Sequence, residues 1–336
     1  MKKFLGITFL VFALSCQIVF AKQELIEATG TYIMDSNLDE TPASATARAR
    51  EEAKRAAIEK AGVYLQSYSV MKDFVLEYDE VKTVAAQLLK IQDETKKIEP
   101  YQDDLLKFTV TIRAIVEDSN DEILKTIMQD KNNLEEATER YKKLQAEYDT
   151  LKKQMDELKQ NYNSADDSQK AEIKNSVAQN SKYFNALLEL EQGNKFYFNK
   201  NYQSAIQAYS RAINLNSNFA EAYNNRGNSY FQLQNYSQAQ QDLQIAARFN
   251  NFDARIHNNL GSAYLLQNMY DAAINEYTQA INLNPNLFTA YYNRALAYCY
   301  AGKFQEALPD SRRAMQLNPS SVEAQNLYNQ ILERLN

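Results

Sequence analysis

Apolar residues along this chain follow three successive rhythms. In "LLKFTVTIRAIVE" (Leu105 to Glu117), Phe108, Val110, Ile112 and Ala114 fall on every second position, as in a strand with one buried face. "ELIEATGTYIM" (Glu24 to Met34) alternates partially, with Gly30 at its middle, and also reads as a strand. After Thr41-Pro42, "ASATARAREEAKRAAIEKAG" is dominated by alanine and paired charges. It predicts a helix, with Gly62 as its C-terminal stop. "VYLQSYSVM" reads as extended, and "DEVKTVAAQLLKI" (Asp79 to Ile91) as a second helix. Residues 22–118 therefore predict a small α+β domain, with helices on one face of a mainly antiparallel sheet.

The second rhythm begins near Asn120. Leu134, Ala137, Tyr141, Leu144, Tyr148, Leu151, Met155, Leu158 and Tyr162 alternate spacings of three and four between charged flanks, which is an a/d seam. An oligomerising coiled coil and a single amphipathic helix lying on its own chain both fit it. "NYNSADDSQ" (Asn161 to Gln169) breaks the seam as a loop, so residues 119–180 form a helical spacer.

The third rhythm is long. Gly193, Gly227, Gly261 and Ala295 recur at intervals of 34 residues, as do Ala205, Ala239, Ala273 and Ala307. Ala212, Ala246, Ala280 and Ala314 keep the same interval, and so do Tyr202, Tyr236, Tyr270 and Phe304. Pro285 and Pro319 close the last two units, where the first two have Ser217 and Asn251. A 34-residue period carrying these residue classes resembles the tetratricopeptide repeat family over Ala186 to Ser321. Four units follow, 186–219, 220–253, 254–287 and 288–321, within a C-terminal segment 181–336. "VEAQNLYNQILERLN" (Val322 to Asn336) looks like the terminal solvating helix of such arrays. The small residues are expected where the two helices of a unit approach most closely, so that a larger side chain would force them apart.

The resemblance implies a mainly α chain ending in an α-α superhelix, with the first helix of each unit lining a concave, polypeptide-binding side. In this sequence that side would carry Asn225, Asn259 and Asn293, alongside Glu221, Asn224, Asn228, Arg255, Asn258, Leu266, Tyr292 and Tyr300. An asparagine amide both donates and accepts, so a column of them can hold an extended peptide. The same asparagines are also simply common in the family. Family members that capture a C-terminal carboxylate use paired lysines and an arginine, and here only Arg255 and the asparagines match. Over Glu24 to Glu117 the order of elements looks like the N-terminal domains of flagellar assembly protein T and related envelope lipoproteins, which would imply an envelope location and a binding role.

Composition narrows the function classes. The 336 residues carry Lys+Arg 37 against Asp+Glu 43, a formal charge of −6 with no basic block, which disfavours nucleic acid as a partner. "MKKFLGITFLVFALSCQIVFAKQ" reads as an export signal, with Lys2 and Lys3, an apolar run, and a cleavage site ending at Ala21. Residues 1–21 would then be removed, leaving no transmembrane segment and a chain destined for the periplasm or envelope; the alternative of a retained membrane anchor is opposed by the shortness of the run and its interruption at Ser15, Cys16 and Gln17. The alternative of lipidation at Cys16 is opposed by the apolar "IVFA" that follows it. Loss of Cys16 would leave Cys299 alone, without an internal disulfide. Cys299 reads as a small core residue and His257, the one histidine, as a packing residue. Asp103-Asp104 and Asp166-Asp167 lie in expected loops and read as solvated turn residues.

No phosphate loop, dinucleotide turn or nucleophile elbow is present, so no enzyme, cofactor or metal is expected. The reading is an exported envelope scaffold that binds a protein or peptide. Self-association through residues 120–162, and small-ligand or glycan binding by the N-terminal domain, are the alternatives.

Overall fold

The computed structural model describes residues 25–71, 78–102, 104–116 and 131–335. The export signal with Cys16 and the cleavage site, Asp103, and the first eleven residues of the expected 120–162 helix lie outside the described residues. The described residues divide into two compact units, one drawn from residues 25–36 and 41–143, the other from residues 37–40 and 144–335.

In the first unit, β1 (Leu25–Asp35), α1 (Pro42–Met71), α2 (Tyr78–Leu88), β2 (Leu89–Gln102) and β3 (Leu105–Val116) build a three-stranded antiparallel sheet in the order β1-β3-β2. Phe108, Val110, Ile112 and Ala114 are buried on one face, as their alternation predicts, together with Ile26, Ala28, Tyr32 and Met34 of β1. Helix α1 covers this face. Ala45, Ala49, Ala53, Ala57 and Ala61 recur every fourth residue and are fully buried, so a strip without bulk lets the helix lie close on the sheet. The approach is tightest at Gly30, where an added Cβ would come within 2.1 Å of the Ala49 carbonyl oxygen and 2.3 Å of the Ala53 nitrogen.

Three local expectations are corrected here. Helix α1 does not stop at Gly62 but runs on to Met71, so "VYLQSYSVM" is helical and not extended. A glycine costs about 1 kcal/mol inside a helix, which packing overrides, and α2 places the Val81 Cγ1 only 3.6 Å from where a Gly62 Cβ would sit. The second helix ends at Leu88, and the next residues open β2.

The second unit begins its helices with α3 (Lys131–Tyr162), which the division enters after Lys143, and α4 (Asp167–Phe198). The break between them is shorter than the expected loop, because Asp166 and Gln169 form a reciprocal capping box that starts α4 at once. Leu144, Tyr148, Leu151 and Met155 of the seam are buried within the chain. The Tyr148 ring lies 5.5 Å from Phe184, the Asn180 amide donates to the Leu151 carbonyl oxygen, and the Tyr183 hydroxyl donates to Glu147. These contacts run antiparallel, so α3 lies along α4 of its own chain.

The hairpins follow without interruption: α4 with α5 (Tyr202–Leu215), α6 (Ala220–Gln232) with α7 (Tyr236–Phe249), α8 (Ala254–Leu265) with α9 (Tyr270–Leu283), and α10 (Phe288–Tyr300) with α11 (Phe304–Leu317). Helix α12 (Val322–Leu335) closes the array by burying Leu327 and Ile331 against the last hairpin. The first hairpin has no separate entry helix at 186, since α4 runs unbroken from Asp167. Every hairpin turns through one left-handed residue at the same place, Lys200, Gln234, Asn268 and Gly302, with φ between 58° and 74°. Mostly α and ending in a solenoid, the fold is the expected one.

Candidate functional site

The close-approach role of the small residues is visible atom by atom. A Cβ on Gly193 would fall 2.4 Å from the Tyr209 ring, one on Gly261 2.7 Å from the Tyr277 ring, and one on Gly227 2.9 Å from Leu243 Cγ. In the fourth hairpin the residue equivalent to Leu243 is the small, buried Ser311, which explains why Ala295 is tolerated where the others have glycine. Ala205, Ala239, Ala273 and Ala307 are fully buried.

The hairpins come in two alternating kinds. In the first and third, Tyr209 and Tyr277 fill the space beside the glycine and donate their hydroxyls to Asn194 and Ser262. In the second and fourth, Arg226 grips Asp242 through two hydrogen bonds of 2.7 and 2.8 Å, and Arg294 grips Asp310 through two of 2.7 Å. Each arginine also donates to a hydroxyl of the preceding hairpin, Ser210 and Thr278 respectively, at 2.9 Å. The carboxylates are buried and both arginines mostly so, and each fork is a two-pronged, charge-assisted link.

Successive first helices (α4, α6, α8, α10) approach one another directly. A continuous chain of amides runs across them. Asn293 donates to Asn258 (3.4 Å), Asn258 to Asn259 (3.5 Å), Asn259 to Asn224 (3.0 Å), Asn224 to Asn225 (3.0 Å) and Asn225 to Asn194 (2.9 Å). Every link points the same way, an arrangement in which each bond polarises the next. The structure thus brings five of the expected asparagines together and adds Asn194, which occupies the ninth position of the first unit. Asn228 stands apart, half-buried one turn further along α6.

The ladder is uneven along its length. Asn224 and Asn225 are buried and tightly bonded. Asn258, Asn259 and Asn293 are half-buried, and the links joining Asn258 to Asn259 and to Asn293 are stretched. The less tightly bonded amides are therefore those of α8 and α10. Aromatic residues frame that end: Tyr292 stacks on Phe288 at 6.0 Å, and the exposed Tyr300 stacks on Tyr270 at 5.9 Å. Leu266 is exposed nearby in sequence, at the end of α8, and Glu221 is half-buried at the start of α6. Arg255 is folded onto Asp253 in a two-pronged hydrogen bond of 3.0 and 2.7 Å, so its charge is already matched.

His257 does more than pack. Its Nδ1 lies 2.7 Å from Glu276 and its Nε2 3.1 Å from the Asn251 carbonyl oxygen. Both neighbours are acceptors, so both ring nitrogens must donate, which only the imidazolium can do. The bond to Glu276 raises the pKa above the ordinary 6.5, against the opposing effect of burial. Asp253 adds to the increase. A pKa raised by folding contributes stability that is complete below the unfolded value and lost as pH rises through the folded one. The array is accordingly expected to weaken as pH climbs through the His257 transition. Because this is the one histidine, an NMR titration reads it directly: a midpoint above 6.5 that falls on Glu276→Gln is expected, and a midpoint at or below 6.5 in the unaltered protein would refute the pairing.

Cys299 is half-buried beside the Leu327 and Ile331 cluster, and burial raises its thiol pKa. Among the described residues no cluster of His, Cys, Asp and Glu could hold a metal ion, and no helix is long and apolar enough to cross a membrane. Asp166 caps α4, and Asp104 sits in the β2–β3 turn, where its carbonyl accepts from Ser36.

Two family models agree with the geometry. The TPR repeat family matches residues 193–234 and again 261–299, and a tetratricopeptide repeat family matches 220–251 and 288–321. No curated protein sequence matches the chain. Among solved structures, one of MamA is 21% identical with a TM-score of 0.40, covering 45% of this chain and 88% of that one. The second TPR domain of human RPAP3, in complex with an HSP70 peptide, is 28% identical with a TM-score of 0.32, covering 32% and 91%. A thermophilic TPR protein of Thermus thermophilus is 17% identical with a TM-score of 0.40, covering 45% and 83%. The hairpins within residues 193–321 are tetratricopeptide repeats.

Proposed function

We propose that this chain is an exported scaffold of the cell envelope that binds another polypeptide along the inner side of its repeats, without catalysis. The observation that carries the binding reading is the uneven amide ladder: Asn258, Asn259 and Asn293 keep hydrogen-bonding capacity, and Asn293 shares its helix with Tyr292 and Tyr300. Amides and phenols match the donors and acceptors of an extended backbone, and aromatic residues supply contact area at low entropic cost. With Arg255 matched by Asp253, the lining suits a neutral or mixed segment better than a C-terminal carboxylate.

Export, and with it the envelope assignment, rests on the Lys2-Lys3, apolar run and Ala21 pattern. Burial of the α3 seam against α4 favours the scaffold over self-association through residues 120–162.

The test is affinity capture of envelope proteins on the purified chain and on a Tyr292→Ala/Tyr300→Ala variant. A truncated aromatic anchor typically removes about 1–2 kcal/mol or more of binding, so retention should fall at least about tenfold. Equal retention by a variant with unchanged circular dichroism would remove this face from the reading. Mass spectrometry of the N-terminus should find the chain beginning at Lys22.

A further inference from the structure

The sheet of the first unit has two edges, and they are treated differently. On β1, side chains of α1 already occupy outward main-chain groups: Thr31 N–H donates to Glu52, and Lys60 Nζ donates to the Glu27 carbonyl oxygen at 2.6 Å. On β2, among the described residues, the main-chain groups of residues 91–100 receive no hydrogen bond from any element but β3. Glu94 N–H bonds only the side chain of its neighbour Asp93. Of the fourteen residues of β2 only Leu89 is buried, and Ile98 and Tyr101 stand about half exposed. Register shifts between Ile91 and Asp93 and between Pro100 and Gln102 leave residues 93–100 as the regular stretch, and an open, regular, partly apolar edge is a template for another strand.

The order of charges along this edge names the strand that fits. β2 reads Asp93-Glu94-Thr95-Lys96-Lys97, two acids and two bases mirrored about one threonine. When two copies pair antiparallel about a two-fold axis normal to the sheet, each face continues onto the same face of the partner. Facing residues must then share a face, and the axis must pass through a residue. With Thr95 on the axis, Glu94 faces the partner's Lys96 and Asp93 faces the partner's Lys97. Moving the axis one residue either way slips the strands by two, keeps every side chain on its face, and sets Glu94 against itself or Lys96 against itself.

Edge lysines ordinarily keep strands apart, yet with the axis at Thr95, and in that register alone, both of them face acids. The exposed pairs that Lys96 and Lys97 now make along their own strand, with Glu94 and Glu99, hold them weakly. We propose that β2 is a self-association edge, joining two copies of this chain antiparallel about Thr95 into one six-stranded sheet.

Charge exchange in the full chain tests this. Lys96→Glu/Lys97→Glu makes the edge wholly acidic and Asp93→Lys/Glu94→Lys makes it wholly basic. Cross-strand pairs of like charge are destabilising, so each variant alone should dimerise at least about tenfold more weakly than the parent in sedimentation equilibrium. Mixed together, the two should form a heterodimer, since all four facing pairs become opposite in sign. Glu94 also holds Arg50 through two bonds of 2.7 Å, so a second measurement stands beside the first: Thr95→Cys in a Cys299→Ser background should oxidise to a cross-linked dimer. A monomeric parent at every concentration would overturn the proposal. So would variants that dimerise like the parent, a mixture that stays monomeric, or a Thr95→Cys chain that does not cross-link.

Discussion

Asp242→Ala lowers the stability of the repeat array by about 3 kcal/mol, the usual range for removing one partner from a buried ion pair. The magnitude follows from what is stranded. Arg226 would keep its charge, four-fifths shielded from solvent, while losing two short hydrogen bonds and retaining the link to Ser210 and its place over the Tyr223 ring. Replacing both partners together, as Arg226→Leu/Asp242→Leu, should cost much less, because the penalty lies in the orphaned charge and not in the absence of the pair. In an array of this kind stability is close to a sum over hairpins and their neighbours, so the damage should be local. Hydrogen exchange ought to quicken in residues 202–265 well before residues 304–335. A single variant as stable as the parent in urea denaturation would show that the fork contributes nothing.

Gly30→Ala should destabilise the first unit by about 2–3 kcal/mol, at the upper end of the range for overpacking. A methyl group there meets main-chain atoms of α1 at 2.1 and 2.3 Å, and these cannot swing aside as a side chain tip can. Either α1 lifts from the sheet, opening space beneath Ala49 and Ala53, or β1 bends away from β3. The contrast is Gly62→Ala, where the nearest atom is 3.6 Å away and helix propensity favours alanine by about 1 kcal/mol. That change should be neutral or stabilising. Thermal unfolding of both variants, followed by circular dichroism with hydrogen exchange to assign the unit, would separate them; equal effects would refute the close-approach reading of Gly30.

The repeats were legible because the information in them is redundant: glycine, alanine and aromatic positions all return at one interval, so no single residue has to be trusted. β3 was legible for the opposite reason, a single strong alternation set by one buried face. β2 escaped because its residues "LKIQDETKKIEPYQ" are exposed on both sides, which erases the alternation that a half-buried strand displays. The overrun of α1 escaped because Gly62 is a stop signal only where packing does not decide. The asparagine column could be seen, yet its bonding could not, since each inter-helix link spans 31 or 35 residues and depends on how α6 and α8 are rotated. The two arginine forks left a trace that went unused: Arg226 and Asp242 are spaced as Arg294 and Asp310 are, and the intervening unit lacks both.

That alternation sets the length by which such a chain can change. A junction entered from an odd hairpin offers a hydroxyl to an arginine, whereas one entered from an even hairpin does not, so cutting out one hairpin would bring together ends that were never complementary. Removing or copying two at once rejoins surfaces already matched. Genetic gain or loss in this lineage should therefore proceed in blocks of 68 residues, the spacing between Arg226 and Arg294, with a lone 34-residue step disfavoured by the mismatch it leaves.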